Sequence, residues 1–384
     1  MNGLFSEIGI SQLSKTGEEL CGDSVQTVKT STHTIIVVSD GLGSGVKANI
    51  LSTMTTRIAT SMLKRGTSLA DVVDTIAQTL PICRQRKIAY STLQIIKIAN
   101  NGDTSVVEFD SPASFLIRKG KILPFPTEEK IVAGKKLRMG RLQLQEGDIL
   151  TAVSDGVIHA GIGGLLKLGW GWQGVLQQLA ITCRRECSAA EMGKDIIGCC
   201  EGYYLGRPGD DCTVVMVKLR QPVQLMLMAG PPMGREEDEL VVRRLLAFEG
   251  KKVVSGGTTA NIVSRVTGKP AVVDITYPNP DIPPTACIEG IDLVTEGVLT
   301  LNAVSERLQS RQLHYLHSRL QDGATLLMKL LLEADEINIL AGKAINPAHQ
   351  NPHFPVQINL KAQVLDKLVG SLREVGKTVE IEWV

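Results

Sequence analysis

What this sequence lacks narrows its function before any motif is read. Lys plus Arg number 41 and Asp plus Glu 40, a formal charge of +1, so no basic field exists to gather nucleic acid or anionic lipid. Aromatics make up only 4%, which removes the stacking residues that single-strand binders interleave with cations. No window approaches the ~20 apolar residues of a membrane span, and MNGLFSEIGISQLSKTGEEL at the N-terminus has no basic run leading into an apolar one. Neither nucleic acid nor membrane is therefore expected as a partner. Eight cysteines in 384 residues are sparse, no C-x-x-C occurs, and without an export signal they read as reduced thiols in a cytoplasmic protein. A Cys-x5-Arg signature and a G-x-S-x-G elbow are missing too, so no side-chain nucleophile for phosphoryl or acyl transfer is announced.

What is present is a globular chain, 43% hydrophobic and 21% charged, long enough for two domains or three. Short strands are expected at VQTVK and at residues 32–40, THTIIVVSD, closing on a turn of small residues. Helical spacing follows in Ile50, Leu51, Met54, Ile58 and Met62, then in Leu69, Val72, Val73, Ile76 and Leu80 behind the cap Ser68. STLQIIKIAN, TSVVEFD, SFLIRKG and KILPF alternate as antiparallel hairpins. A strand run at residues 142–157 ends on a second Asp-Gly, a helix passes through Val175, Leu176, Leu179 and Cys183, and DCTVVMVKL reads as a central strand apolar on both faces. Beyond Gln221-Pro222 the rhythm changes to strands alternating with helices: QLMLMAGPP, a helix Glu236–Phe248, KKVVSGG and a short helix, AVVDI, EINILAGKA, QINL, a helix Ala362–Val375 and TVEIEWV. Two domains are expected, 1–220 and a smaller α/β domain over 221–384.

Acidic residues stand at strand-to-turn junctions across the first half: Asp23 in CGDS, Asp40 in SDGLGSG, Asp155 in SDGV, and Asp210 with Asp211 in GDDCT. Alone, each Asp-Gly is ordinary turn chemistry. Together, two apolar runs deliver the same Ser-Asp-Gly tripeptide and a third follows a paired acid. Carboxylates gathered at strand ends would repel one another unless divalent cations lay between them, and Mg²⁺ or Mn²⁺ prefer such oxygen ligands. Glycines adjoin at 22, 41 and 156, where a missing Cβ lets the backbone approach an ion.

In order and spacing, CGDS, SDGLGSG with KAN after it, SDG and DDCT resemble the metal-dependent protein phosphatases of type 2C. The bacterial branch with the sporulation stage II E and stressosome feedback phosphatases is the most similar, over about residues 5–220. The resemblance implies a two-sheet β-sandwich flanked by helices. It implies a Mn²⁺- or Mg²⁺-dependent serine/threonine phosphatase with two ions. Asp40 would bridge the ions, Gly41 would lend its carbonyl to one, and Asp155 and Asp210 would complete the other. Asp23 would hold a metal or its water, with Asp211 a lesser candidate; Asp40 and Asp23 would be the catalytic pair. Gly22 and Glu18 stand where many eukaryotic relatives have Glu and Arg, so substrate positioning is expected to depend on the partner protein. The expected partner is a phosphoprotein such as an anti-sigma-factor antagonist or stressosome component. Helices over Lys47–Leu80 would be a regulatory element, or simply core packing. The second domain would regulate the first, pair two copies as a homodimer, or recruit substrate. Rival readings are a non-catalytic sensory scaffold and a small-molecule phosphatase.

Other features read more plainly. Cys183, Cys187, Cys199 and Cys200 are expected to be structural thiols, with a metal or redox site as the alternative. His159 lies four residues past Asp155 and is read as a surface residue. In the second domain, VVSGGTTAN at 253–261 could cradle an anion at a helix N-terminus, although the domain has neither a P-loop nor a G-x-G-x-x-G. YPNPDIPP, at 277–284, reads as a rigid loop or docking surface.

Overall fold

The computed structural model describes residues 3–79, 91–132, 134–274, 279–310, 322–344 and 360–384. The chain divides into two compact units, Met1–Gln221 and Pro222–Val384.

The first unit contains strands β1 (Phe5–Leu13), β2 (Asp23–Lys29), β3 (His33–Asp40), β4 (Leu93–Ala99), β5 (Asp103–Phe109), β6 (Phe115–Arg118), β7 (Lys121–Pro124), β8 (Glu128–Val132), β9 (Lys135–Gln143), β10 (Ile149–Val153) and β11 (Cys212–Arg220). Its helices are α1 (Gly45–Lys64), α2 (Leu69–Thr79), the single turn α3 (Asp155–Ile158), α4 (Gly171–Thr182) and α5 (Ala189–Tyr203). One sheet runs β2-β3-β4-β5-β9-β8, the other β1-β11-β10-β6-β7, and all pairings are antiparallel.

Strand alternation sorts the core into three layers, because successive side chains face opposite sides of a sheet. Ile36, Val38, Ile96, Ile98 and Val106 meet Leu150, Ala152, Val215, Val217 and Leu219 between the sheets. The alternate residues Ile35, Val37, Ile95 and Val107 pack under α1 and α2. Val153, Val214 and Met216 pack under α4 and α5 with Val175, Leu179, Met192 and Ile196. Each such side chain contributes roughly 1.5–3 kcal/mol on leaving water. The expected sandwich flanked by helices is therefore the fold, and β11 lies inside its sheet, buried on both faces.

Three local readings change. The run 142–157 is two strands in different sheets, broken at the turn before β10, where the Asp148 carboxylate accepts from the Gln145 amide at 2.7 Å and from Arg118 Nη2 at 2.6 Å. Phe5–Leu13, unmarked by pattern, is a nine-residue strand. The stripe Ile50, Leu51, Met54, Ile58 and Met62 is only in part the inward face of α1: Ile58 and Met62 pack, partly buried, against the core beneath the helix. Its buried residues are Gly45, Ala48, Ser52, Thr55, Thr56, Ala59, Thr60 and Leu63, while Ile50 and Met54 are exposed. The helix lies so close to β2 and β3 that small and hydroxyl side chains fit best. Thr56 bonds to Ser24 at 2.9 Å. Leu80 lies outside the described residues.

The second unit contains β12 (Gln224–Ala229), α6 (Asp238–Ala247), β13 (Lys251–Ser255), α7 (Gly257–Thr267), β14 (Val272–Val273), β15 (Ala286–Cys287), β16 (Leu293–Thr295), α8 (Val298–Gln309), α9 (Gly323–Glu333), β17 (Glu336–Ala341), α10 (Leu360–Glu374) and β18 (Thr378–Trp383). The sheet order is β14-β15-β16-β13-β12-β17-β18, with β16, β13, β12, β17 and β18 parallel. α6 and α7 cover one face and α8, α9 and α10 the other. The α/β rhythm read from sequence is this sheet. AVVDI contributes only the two-residue β14, antiparallel to β15. The helices expected at Glu236–Phe248 and Ala362–Val375 are Asp238–Ala247 and Leu360–Glu374. QINL falls outside the described residues up to Leu360, which opens α10.

Candidate active site

Both Ser-Asp-Gly turns end neighbouring layers: Asp40 closes β3 in one sheet, and Asp155 follows β10 in the other. Asp23 opens β2 directly opposite Asp40 in the antiparallel register. Asp210 and Asp211 precede β11, which pairs with β10. Topology thus carries these acids to one end of the sandwich.

They interact there as a group. Burial, then the nearby carboxylates of Asp23 and Asp155, push the Asp40 carboxyl well above the usual carboxylate range. Burial also raises Asp23, against the hydrogen bond from Thr213 and the nearby Ser154 hydroxyl, which favour its ionised form. Asp210 is raised by burial and by Asp155. Like charges this close hold protons unless cations replace them. Among the described residues no three His, Cys, Asp or Glu side chains are drawn together closely enough to hold a metal ion between them. Thr213 Oγ1 donates to Asp23 Oδ2 at 2.6 Å, while the buried Oδ1 of Asp23 has no hydrogen-bond partner. An all-oxygen donor set with an unsatisfied buried carboxylate oxygen fits a hard divalent cation.

The other residues named from sequence fall into different roles. Asp211 does not present a free carboxylate: Oδ1 accepts the Lys15 amide at 3.0 Å and Oδ2 the Gly22 amide at 2.9 Å. It clasps the CGDS loop to the start of β11. The Gly22 carbonyl in turn accepts the Gly41 amide at 3.3 Å, so the clasp reaches the residue expected to lend its carbonyl. The glycines answer to packing against protein. A Cβ on Gly41 would stand 2.1 Å from the Ala48 carbonyl oxygen, one on Gly156 2.0 Å from that of Asp211, and one on Gly22 2.8 Å from Asp211 Oδ2. Glu18 accepts the Ser44 hydroxyl at 2.7 Å, placing a carboxylate at the start of α1, where the helix dipole favours it. His159 is half exposed, its Nδ1 3.9 Å from Asp155 Oδ2.

Ser154 and Thr213 were not singled out from sequence. Ser154 Oγ accepts the Thr213 amide at 2.8 Å, and Gln12 Nε2 donates to Thr213 Oγ1 at 3.0 Å. Their signal was present in the Ser of Ser-Asp-Gly and the Thr of DDCT. Cys183 and Cys187 lie between α4 and α5 and Cys199 and Cys200 within α5, and the four do not form one site. Cys183 lies near Cys187, while Cys200 packs in one core cluster with Cys212, a thiol outside the expected set.

Residues 30–220 match the family model for Stage II sporulation protein E (SpoIIE). The first unit carries a SpoIIE domain. Among solved structures, the PP2C phosphatase domain of SpoIIE from Bacillus subtilis with a fragment of its regulatory domain is 21% identical, with a TM-score of 0.50, covering 58% of this chain and 64% of that one. The chain thus spans less than two thirds of that structure. The Bacillus subtilis SpoIIE phosphatase domain in a crystal form without domain swapping is 20% identical over 58% of this chain and 95% of its own, TM-score 0.46. RsbX in complex with magnesium is 19% identical over 57% of this chain and 100% of its own, TM-score 0.42. No curated protein matches. The SpoIIE domain of this chain has the type 2C phosphatase fold.

Proposed function

We propose that the SpoIIE domain is a metal-dependent serine/threonine phosphatase, a phosphoric monoester hydrolase acting on phosphoserine or phosphothreonine of a regulatory protein in bacterial signalling. The observation that carries this reading is the gathering of Asp23, Asp40, Asp155 and Asp210 from both sheets, with one buried carboxylate oxygen left unpartnered. Asp40, Asp155, Asp210 and the Gly41 carbonyl would hold two Mn²⁺ or Mg²⁺ ions, with Asp23 beside them. Such ions acidify a water and neutralise phosphoryl oxygens during in-line displacement. Around them, Thr213 fixes the rotamer of Asp23 and leaves Oδ1 as the proton-accepting atom. Asp211, through Lys15 and Gly22, keeps the CGDS loop against the Gly41 turn. The site's own side chains are acidic, so orientation of the phosphate depends on docking of the phosphoprotein, whose positioning can supply several kcal/mol of barrier reduction.

The test is phosphate release from a phosphoserine-bearing anti-sigma-factor antagonist in Mn²⁺ or Mg²⁺, compared with aryl phosphates and a panel of metabolite phosphates. Release from the phosphoprotein, slow turnover of aryl phosphate, and loss of both in Asp40→Asn are expected. Equal rates on small phosphates would make it a metabolite phosphatase, and no metal-dependent release from any substrate would leave a scaffold.

A further inference from the structure

The parallel strands of the second unit run in the order third, second, first, fourth, fifth along the chain, β16-β13-β12-β17-β18. Open sheets wound in this way take ligands outside the carboxyl ends of their strands, by rule at the switch point, here between β12 and β17, and the turns after β13 and β16 lie along the same edge. At that edge two turns adjoin. Ser255-Gly256-Gly257 leads from β13 into α7, and Thr295-Glu296-Gly297 leads from β16 into α8. The Gly256 amide donates to the Thr295 carbonyl at 2.9 Å, and the Ser255 hydroxyl to the Glu296 carbonyl at 3.0 Å. A Cβ on Gly297 would stand 3.4 Å from the Gly256 Cα. Because α7 and α8 lie on opposite faces of the sheet, two helix N-termini meet there. Both caps are glycine, neither supplies a side-chain acceptor to the first-turn amides, and Gly257 and Thr258 are exposed at the rim.

The floor beneath that rim is polar and unsatisfied. Thr259 and Thr300, the third residues of the two helices, are each 0% exposed, and neither hydroxyl has a hydrogen-bond partner. Thr259 Oγ1 lies 3.0 Å from where a Cβ of residue 256 would stand, so it faces the turn. Glu296 Oε2 is likewise buried and unpartnered. Leaving a buried polar group unpaired is costly, and three such groups, one in the turn before α8 and two in the first turns of α7 and α8, of which Thr259 faces the Gly256 turn, are what a ligand would satisfy. Amide donors at paired N-termini suit a phosphate. A carboxylate beside them disfavours a bare anion and suits a ligand that also offers a hydroxyl donor.

We propose that the second unit binds a mononucleotide, its phosphate held by the N-termini of α7 and α8 with the hydroxyls of Thr259 and Thr300, and a ribose hydroxyl donating to Glu296. This site is independent of the phosphatase reading of the first unit. Calorimetric titration of the full chain in EDTA tests it, using AMP, GMP, CMP, UMP, adenosine and inorganic phosphate. At least one of the four nucleotides should bind saturably, more tightly than phosphate, with adenosine silent. Thr259→Val and Thr300→Val, which keep the side-chain shape, should each weaken that nucleotide about tenfold. Glu296→Gln should weaken the nucleotide while leaving phosphate unchanged, and circular dichroism should find all three variants folded. Saturable binding by none of the nucleotides, equal affinity for nucleotide and phosphate, or undiminished nucleotide binding by the folded Thr259→Val and Thr300→Val variants would each overturn the proposal.

Discussion

Asp40 is a carboxylate the fold holds at a cost. Its pKa, and that of Asp23, is raised by burial and neighbouring acids, so the folded chain binds protons more tightly than the unfolded one. The stability attached to these groups is complete below the ordinary carboxylate range and is lost as pH rises through their elevated folded values. In EDTA, Asp40→Asn should therefore melt a few degrees higher than wild type at pH 8, with the gap closing toward pH 4. Phosphate release by the same variant should fall to background. Mn²⁺ should raise the wild-type melting temperature more at pH 8 than at pH 5. Thr213→Val removes the hydroxyl that donates to Asp23 at 2.6 Å while preserving shape. Its Mn²⁺ affinity, read by calorimetry, should drop about 10- to 100-fold with the fold intact.

The first helix is the element on which the site's geometry turns. Gly41→Ala would drive a methyl into the Ala48 carbonyl and lever α1 off β3, at about 1–3 kcal/mol. Ile50→Ser or Met54→Ser, on the exposed side, should stay within ~0.5 kcal/mol. Thermal melts of the three variants check the contrast. The same helix marks the limit of legibility. Strands such as β3 and β11 announced themselves because apolar runs with both faces buried have few alternatives, and the acids at their ends could be placed by turn chemistry. The inward face of α1 could be read only in part, through Ile58 and Met62, because its partner strands demand small residues and hydroxyls beside them and tolerate Ile50 and Met54 in solvent. Strand β1 escaped because Gly9 interrupts its pattern, and that glycine is required by the Ala189 carbonyl, 2.2 Å from its would-be Cβ. The role of Asp211 depended on amides of Lys15 and Gly22, nearly 200 positions away, at |i−j| of 196 and 189, a relation that local spacing does not carry.

At the scale of the molecule, two compact units, each with its own sheets and core, should melt in separable calorimetric transitions. The second unit has an identifiable acid weakness. Asp322 caps α9 through the Thr325 amide at 2.7 Å and meets Arg307 in two hydrogen bonds of 2.9 Å. Burial alone would raise its pKa, but Arg307 and the cap outweigh it and hold the carboxyl well below the usual range. Stability from this lock is therefore present above the ordinary Asp value and drains as pH falls below ~4. Arg307→Met should cost about 3–5 kcal/mol in the second transition and leave the first unmoved.

Strand β1 pairs with β11 along its whole length, Phe5 opposite Arg220 and Leu13 opposite Cys212. On the ribosome, β1 therefore waits for a mate made some two hundred residues later, and Asp210 arrives together with it. The acidic cluster should therefore assemble late and abruptly during translation, and any stall before Asp210 is made should release a chain with an unmatched edge, a natural client for chaperones.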